Sequence, residues 1–374
     1  MTAPKRFTRR ECLKYLALTG SGVLLAACAE TKSPVASPTA PLKNVEPTST
    51  PPTQQPPTAL PPSPTPTAVP PSPTPLPPTP IQVSPTPSFT ATPKVGEAHL
   101  AVARGADPEK ITAAAIKAIG GMEKFVKPGN DVVIKPNICI DYYDESVMYK
   151  YAATTNPIVV ATLVKLALQA GAKQVRVFDH PFGGSVESAY TKSGIKKAVE
   201  QAGGKMEGMP NYKFKKFDIP QGKDIKNWVF FSEIFNTDVI INVPIAKHHN
   251  LAKLTLSGKN LLGVVSAPGN IHANMGQRVA DLLSVVKPKL TVIDAVRILT
   301  AGGPTGGNLN AVKQTNTVIA SHDPVAADAY ATTLFELKGV QMKPEDIDYI
   351  VASAKMGLGT MDLKSIKIEE ISVA

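Results

Sequence analysis

The 374-residue chain is poor in the residues that build cross-links and stacking surfaces: it has three cysteines, one tryptophan and 6% aromatic residues. Cys12 and Cys28 stand near the N-terminus and leave Cys139 alone in the remaining sequence, which excludes a disulfide framework and a cysteine-held iron–sulfur cluster there. Aromatics interleaved with basic residues, the pattern of a nucleic-acid surface, are absent, so no nucleic-acid partner is expected. There is no Walker loop, no dinucleotide fingerprint, no Gly-x-Ser-x-Gly elbow and no His-Glu-x-x-His, which argues against ordinary nucleotide sites, serine hydrolases and zincins.

Proline is scarce in most of the chain and crowded in one part of it. Of 36 prolines, 22 lie between Ser33 and Pro93, one is Pro4, and only 13 fall in the 281 residues from Lys94 to Ala374. This excludes one compact 374-residue fold, a collagen-like chain and a wholly disordered protein. It leaves about 280 residues of ordinary composition, ample for a sizeable core. The net charge of +10 divides in the same way: residues 1–93 carry +4 and residues 94–374 carry +6, from 33 bases and 27 acids. An excess of that size reads as a solvated face and leaves room for a small anionic ligand.

Three segments follow. Residues 1–27 read as a targeting signal: Thr8-Arg9-Arg10-Glu11-Cys12-Leu13-Lys14 resembles the twin-arginine export signal, with Cys12 where Phe is usual, and a short apolar run from Tyr15 ends at Leu25-Ala26-Ala27-Cys28. That tetrad resembles a lipobox, which implies cleavage before Cys28, lipidation of that cysteine and an extracytoplasmic protein anchored to the outer face of the cell membrane. The run is too short and too rich in Gly, Thr and Ala for a spanning helix. Residues 28–93, nearly uncharged and built of Pro-Thr-Pro and Pro-Pro-Ser-Pro units, cannot bury a core and read as a disordered, extended tether. At ~3.1 Å per residue its sixty or so residues reach on the order of 150–190 Å when fully extended.

Residues 94–374 alternate strand and helix patterns. Strands are expected at 99–103, 131–135, 174–178, 238–243, 290–294, 315–320 and 366–373, the last as an edge strand. Helices are expected at 108–119, 157–169, 193–201, 275–286 and 323–337, with Pro157 in a first turn and Asp323 as an N-cap. Repeated strand–helix units predict an α/β domain with a mainly parallel sheet flanked by helices.

In such sheets the chemistry gathers where strands end at their carboxyl edge. Lys135-Pro136-Asn137, Asp179-His180, Lys247-His248-His249, Asp294 and Ser321-His322-Asp323 all follow a predicted strand. Lys259, inside the mostly small and apolar run Leu254–Gly263, becomes an anion anchor or a base if burial lowers its pKa, and reads otherwise as a lysine snorkelling from a helix. Two adjacent histidines point apart on most backbones, so His248 and His249 are not expected to share one site, and His248 reads equally well as polar surface. Gly302-Gly303-Pro304-Thr305-Gly306-Gly307 offers backbone N–H groups to a phosphate or carboxylate, or is simply a loop.

Lys135-Pro136-Asn137, Thr154-Thr155-Asn156-Pro157, the run from Asp238 to Pro244, Lys247-His248-His249, Lys259-Asn260 and His272 resemble, in order, the domain-of-unknown-function 362 family. So do Pro288 to Asp294, Gly303-Pro304 and Ser321-His322-Asp323-Pro324 with Asp328, and His248 stands where a threonine is expected. Relatives of this kind are often fused to ferredoxin-type domains, whose cysteines this chain lacks. A more distant resemblance is to the nickel-pincer lactate racemases, through Thr155, Pro157, Asp179-His180, His249 with Lys259 ten positions on, and His272. It implies that His249, Lys259 and His272 line one pocket and that proton transfer at a carbon beside a carboxylate is conceivable there.

The expected site therefore has Lys259, His249 and His272 as catalytic groups, with Lys135, Asn137, Lys247, Asn260, Asp179, Asp294 and Asp323 around a small anionic ligand. A divalent metal on His249 and His272 is the cofactor this set invites, and no iron–sulfur cluster is expected. The competing class is a non-catalytic solute-binding or surface-interaction lipoprotein.

Overall fold

The computed structural model describes residues 99–143 and 150–374. The export signal, Cys28 and the Pro/Thr-rich tether lie outside the described residues, among which no helix is long and apolar enough to cross a membrane.

A ten-stranded sheet forms the centre. Its main path is built from β1 (Leu100–Arg104), β2 (Asp131–Pro136), β3 (Gln174–Val177), β4 (Lys205–Met206), β7 (Val239–Val243), β10 (Leu290–Leu299), β11 (Val312–Ser321) and β14 (Ile368–Ser372). The spatial order is β14-β1-β11-β10-β7-β2-β3-β4. Two more strands, β8 (Ile245–His249) and β9 (Lys253–Thr255), branch from it: β8 runs parallel to β10, and β9 turns back antiparallel on β8. Most ladders are parallel, and β11 is the exception within the path, antiparallel to both β1 and β10.

Side-chain alternation divides the core into two layers. Val132 and Ile134 of β2, with Val239, Ile241 and Val243 of β7, pack under the helices Pro108–Ala118, Pro157–Gln169 and Ile195–Gln201. Val133, Ile240, Ile293 and Ile319 face the opposite layer, made by the helices Met275–Val286, Pro324–Thr332 and Asp348–Lys355 together with the hairpin of β5 (Phe214–Asp218) and β6 (Asn227–Phe231). Strands buried on both faces explain the near-continuous apolar runs in the sequence.

The α/β class and the mainly parallel sheet are as the sequence predicts, with three local differences. The helix expected from Ser193 begins earlier as Val186–Lys192 and restarts at Ile195, because Gly194 adopts a left-handed conformation (φ 73°) between the two. The helix from Pro324 stops at Thr332 rather than Leu337, and the chain turns instead into a short hairpin of β12 (Glu336–Leu337) and β13 (Val340–Gln341). The strand expected to end at Asp294 continues to Leu299, so Asp294 is an interior residue of the strand.

Candidate functional site

A cleft of about 720 Å³ opens where β2 and β3 end and where the chain passes from β7 through Pro244 into β8. Its lining includes Lys135, Asn137, Cys139, Asp179, Lys247, His249, Lys259, Asn260 and His272, drawn from segments distant in sequence.

The floor is a chain of hydrogen bonds between lysines and asparagines. Lys135 at the end of β2 is fully buried and its Nζ lies 2.6 Å from Asp179 Oδ1. Burial pushes Lys135 below and Asp179 above their ordinary values, while their mutual attraction works against both shifts. Lys135 Nζ also donates to Asn260 Oδ1 (3.2 Å), which accepts from Asn137 Nδ2 (2.8 Å) as well. Asn137 Oδ1 in turn accepts from Lys247 Nζ (2.9 Å). Lys247, 1% exposed, completes its shell with the carbonyls of Ala153 (2.6 Å) and Pro304 (3.0 Å) and meets no carboxylate among the described residues.

Lys259 differs from its neighbours. It lies in the short helix Ser257–Asn260, is 7% exposed, and its Nζ has no hydrogen-bond or ion-pair partner among the described residues. Burial, reinforced by the charges of Lys247 and Lys135, lowers its pKa to about 8. Among the described residues three lysines thus face one carboxylate, a formal positive excess in the cleft lining.

The histidines divide by role. His249 Nδ1 accepts from the backbone N–H of Leu251 (3.1 Å) and Ala252 (3.2 Å), so the neutral ring carries its proton on Nε2. Burial first, and then Lys259, brings its pKa down to about 3, so the ring is neutral across the physiological range. His272 packs edge-on to it with ring centroids 5.9 Å apart, and its buried Nε2 has no partner among the described residues. This pair does not fit the expected divalent metal. The lone pair of His249 is spent on Nδ1, and no group of three or more His, Cys, Asp or Glu converges as ligands among the described residues. His248, on the other face of β8, accepts from Gly303 N (3.1 Å), and His180 is exposed at the rim with its ring edge toward Phe214.

Two expected ligand-binding residues lie elsewhere. Asp294, within β10, accepts from the backbone N–H of Asn156 (2.7 Å) and Val296 (3.0 Å), and serves the fold rather than the cleft. Asp323 follows β11, whose antiparallel course takes its end to the opposite edge of the sheet. There it caps the helix Pro324–Thr332 through the N–H groups of Val325 and Ala326. The glycine-rich loop reaches the cleft through Pro304, whose carbonyl accepts from Lys247 Nζ, and through Thr305.

Other positions carry the site without having been singled out as ligands. Asn242, the polar residue inside the apolar β7 run, donates to Ser257 O (2.9 Å) and accepts from Asn260 Nδ2 (2.8 Å), fixing the segment that bears Lys259. Its signal in the sequence was an amide where a buried strand demands partners. Asp328, its pKa pushed by burial to about 7, accepts from Ser257 N (2.7 Å) and Gly258 N (3.0 Å) at the start of that same helix. Gly263 has to lack a side chain, because a Cβ there would lie 1.8 Å from Asp179 Oδ1 and 2.7 Å from Lys135 Nζ.

A thylakoid-associated protein of Synechocystis sp. (strain ATCC 27184 / PCC 6803 / Kazusa) is 26% identical over 255 residues, covering 65% of this chain and 73% of that protein. Among solved structures, the lactate racemase apoprotein of Thermoanaerobacterium thermosaccharolyticum aligns over 60% of this chain and 54% of its own, at 10% identity and a TM-score of 0.39. A Thermotoga maritima protein aligns over 51% of each chain at 12% identity and a TM-score of 0.29. The chain thus spans about half the length of each of these two structures. The sequence pattern described as Domain of unknown function (DUF362) matches residues 132–333, a span that holds every cleft residue from Lys135 to Pro304, and the chain belongs to that family.

Proposed function

We propose that the cleft binds a small anionic ligand, a carboxylate or a phosphate, and that the domain acts on it as an enzyme at the outer face of a membrane, tethered there through a lipid on Cys28. The observation that carries the reading is Lys259: a lysine only 7% exposed whose Nζ has no counter-ion among the described residues, beside two further buried lysines and the Asp179 carboxylate. Burying an unpaired charge is costly, and a ligand anion supplies what the protein leaves out. Lys247 and Lys259 would hold the anion while Lys135 and Asp179 satisfy each other. The His249 Nε2–H would donate to the ligand, and Lys259, with a pKa of about 8, is poised to take up or release a proton near neutrality.

Titration of the full chain with inorganic phosphate and with butyrate tests this. Lys259→Met should weaken both by at least tenfold, about 1.4 kcal/mol. Lys165→Met, a surface change, should alter neither. Equal affinity in wild type and Lys259→Met would remove the reading. The acid–base set distinguishes catalysis from capture: deuterium from D2O should enter small 2-hydroxy acids at the carbon beside the carboxylate. Bound acids that gain no deuterium would leave solute capture as the function.

A further inference from the structure

A phosphate or short-chain acid occupies only the floor of the cleft, around Lys247 and Lys259. The cleft as a whole measures about 720 Å³, the range of pockets that enclose drug- or cofactor-sized molecules. Apolar surface predominates in the rest of its lining, to which Ile138, Leu262 and Pro268 contribute beside the polar His272 and Thr305. At the rim two large apolar side chains stand in solvent, Phe182 at 56% and Leu251 at 64% exposure.

This arrangement reverses the usual one, in which charged groups face water and apolar groups are buried. Here Lys135 and Lys247 are at most 1% exposed, while Phe182 and Leu251 are largely uncovered. Neither exposure comes from a loose loop. Phe182 N donates to Cys139 O (3.1 Å), and Leu251 N donates to His249 Nδ1 (3.1 Å), so each backbone is tied to a residue that itself lines the cleft. A single exposed Leu or Phe would need no explanation. Two of them, on separate anchored loops and lining one cleft whose floor is cationic, suit a ligand that enters head first.

We infer that the ligand is an amphiphile, with an anionic head taken by Lys247 and Lys259 and an apolar chain or ring that lies along Ile138, Leu262 and Pro268 and emerges past Phe182 and Leu251. This rests on the anion reading above and adds the class of molecule. The test is calorimetric titration of the full chain with butyrate, octanoate and dodecanoate below their micellar concentrations, with octyl phosphate to compare the two heads and 1-octanol as the headless control. Affinity should rise roughly threefold to fourfold per added methylene until the cleft is filled. Phe182→Ala and Leu251→Ala, both surface changes that leave the core intact, should each weaken dodecanoate by at least threefold and leave butyrate unchanged. Octanol should bind at least tenfold more weakly than octanoate or octyl phosphate, whichever head is preferred. If butyrate and dodecanoate bind equally and both depend on Lys259, the inference is overturned and the anion reading stands. If octanol binds as well as octanoate and Lys259→Met changes nothing, the anion reading falls, and the inference with it.

Discussion

At Lys259 the burial of a lysine that has no counter-ion among the described residues is relieved only in part by its lowered pKa of about 8. The charged form persists below that value, so butyrate or phosphate binding to the free protein should hold from pH 6 to 7.5 and weaken as pH rises through about 8. Titration at stepped pH checks this, and a profile that is flat to pH 10 would contradict it. Unliganded stability should move the other way. The unfolded lysine keeps its proton to about 10.5 while the folded one loses it near 8, so this group makes the fold more stable as pH rises between them. His249 has the same sign at acid pH. Its folded pKa of about 3 lies below the 6.5 of the unfolded ring, so its contribution is full above 6.5 and is lost as pH falls toward 3. His249→Gln should flatten that limb of the stability–pH curve, measured by urea denaturation from pH 7 to 4.

Among the elements, the short helix Ser257–Asn260 holds Lys259 in place, yet at four residues it has little stability of its own. Its first N–H groups are bound by Asp328 from a neighbouring helix, and Asn242 holds the Ser257 carbonyl. Asp328→Ala frees both N–H groups in a buried setting and should cost about 1–3 kcal/mol, read as a lower urea midpoint, together with weakened anion binding. A variant of wild-type stability would show that the helix is held by packing alone. Asp328 lies in a sequence stretch that resembles the family, but nothing local in that stretch revealed its partner 70 residues away. The same limit explains which parts of the site were legible. The strand ends at Lys135 and Asp179 are legible from periodicity because β2 and β3 run in one direction, whereas Lys247, expected just beyond β7, lies inside the separate strand β8. Asp323 was misplaced because the reversal of β11 leaves no mark in its own alternation. Asp294 was misplaced because a strand of ten residues was read as one of five.

For the whole molecule, the class of fold followed from the strand–helix alternation, and the branch of β8 and β9 that shapes the cleft did not, since it depends on register between β8 and β10. The proposed anchor is independent of that fold. Cys28→Ser should move the protein from the membrane to the soluble fraction of its host, and undiminished retention would remove the lipoprotein proposal. The Pro304 carbonyl that steadies Lys247 has a consequence for biosynthesis. The cleft lining begins with Lys135 and ends with Pro304 and Thr305, so a nascent chain halted anywhere before Pro304 has lysines but no finished receptor for an anion. Any ligand acquired inside the cell would have to be loaded after the ribosome has passed that loop and, on the export proposal, before the folded domain leaves the cytoplasm.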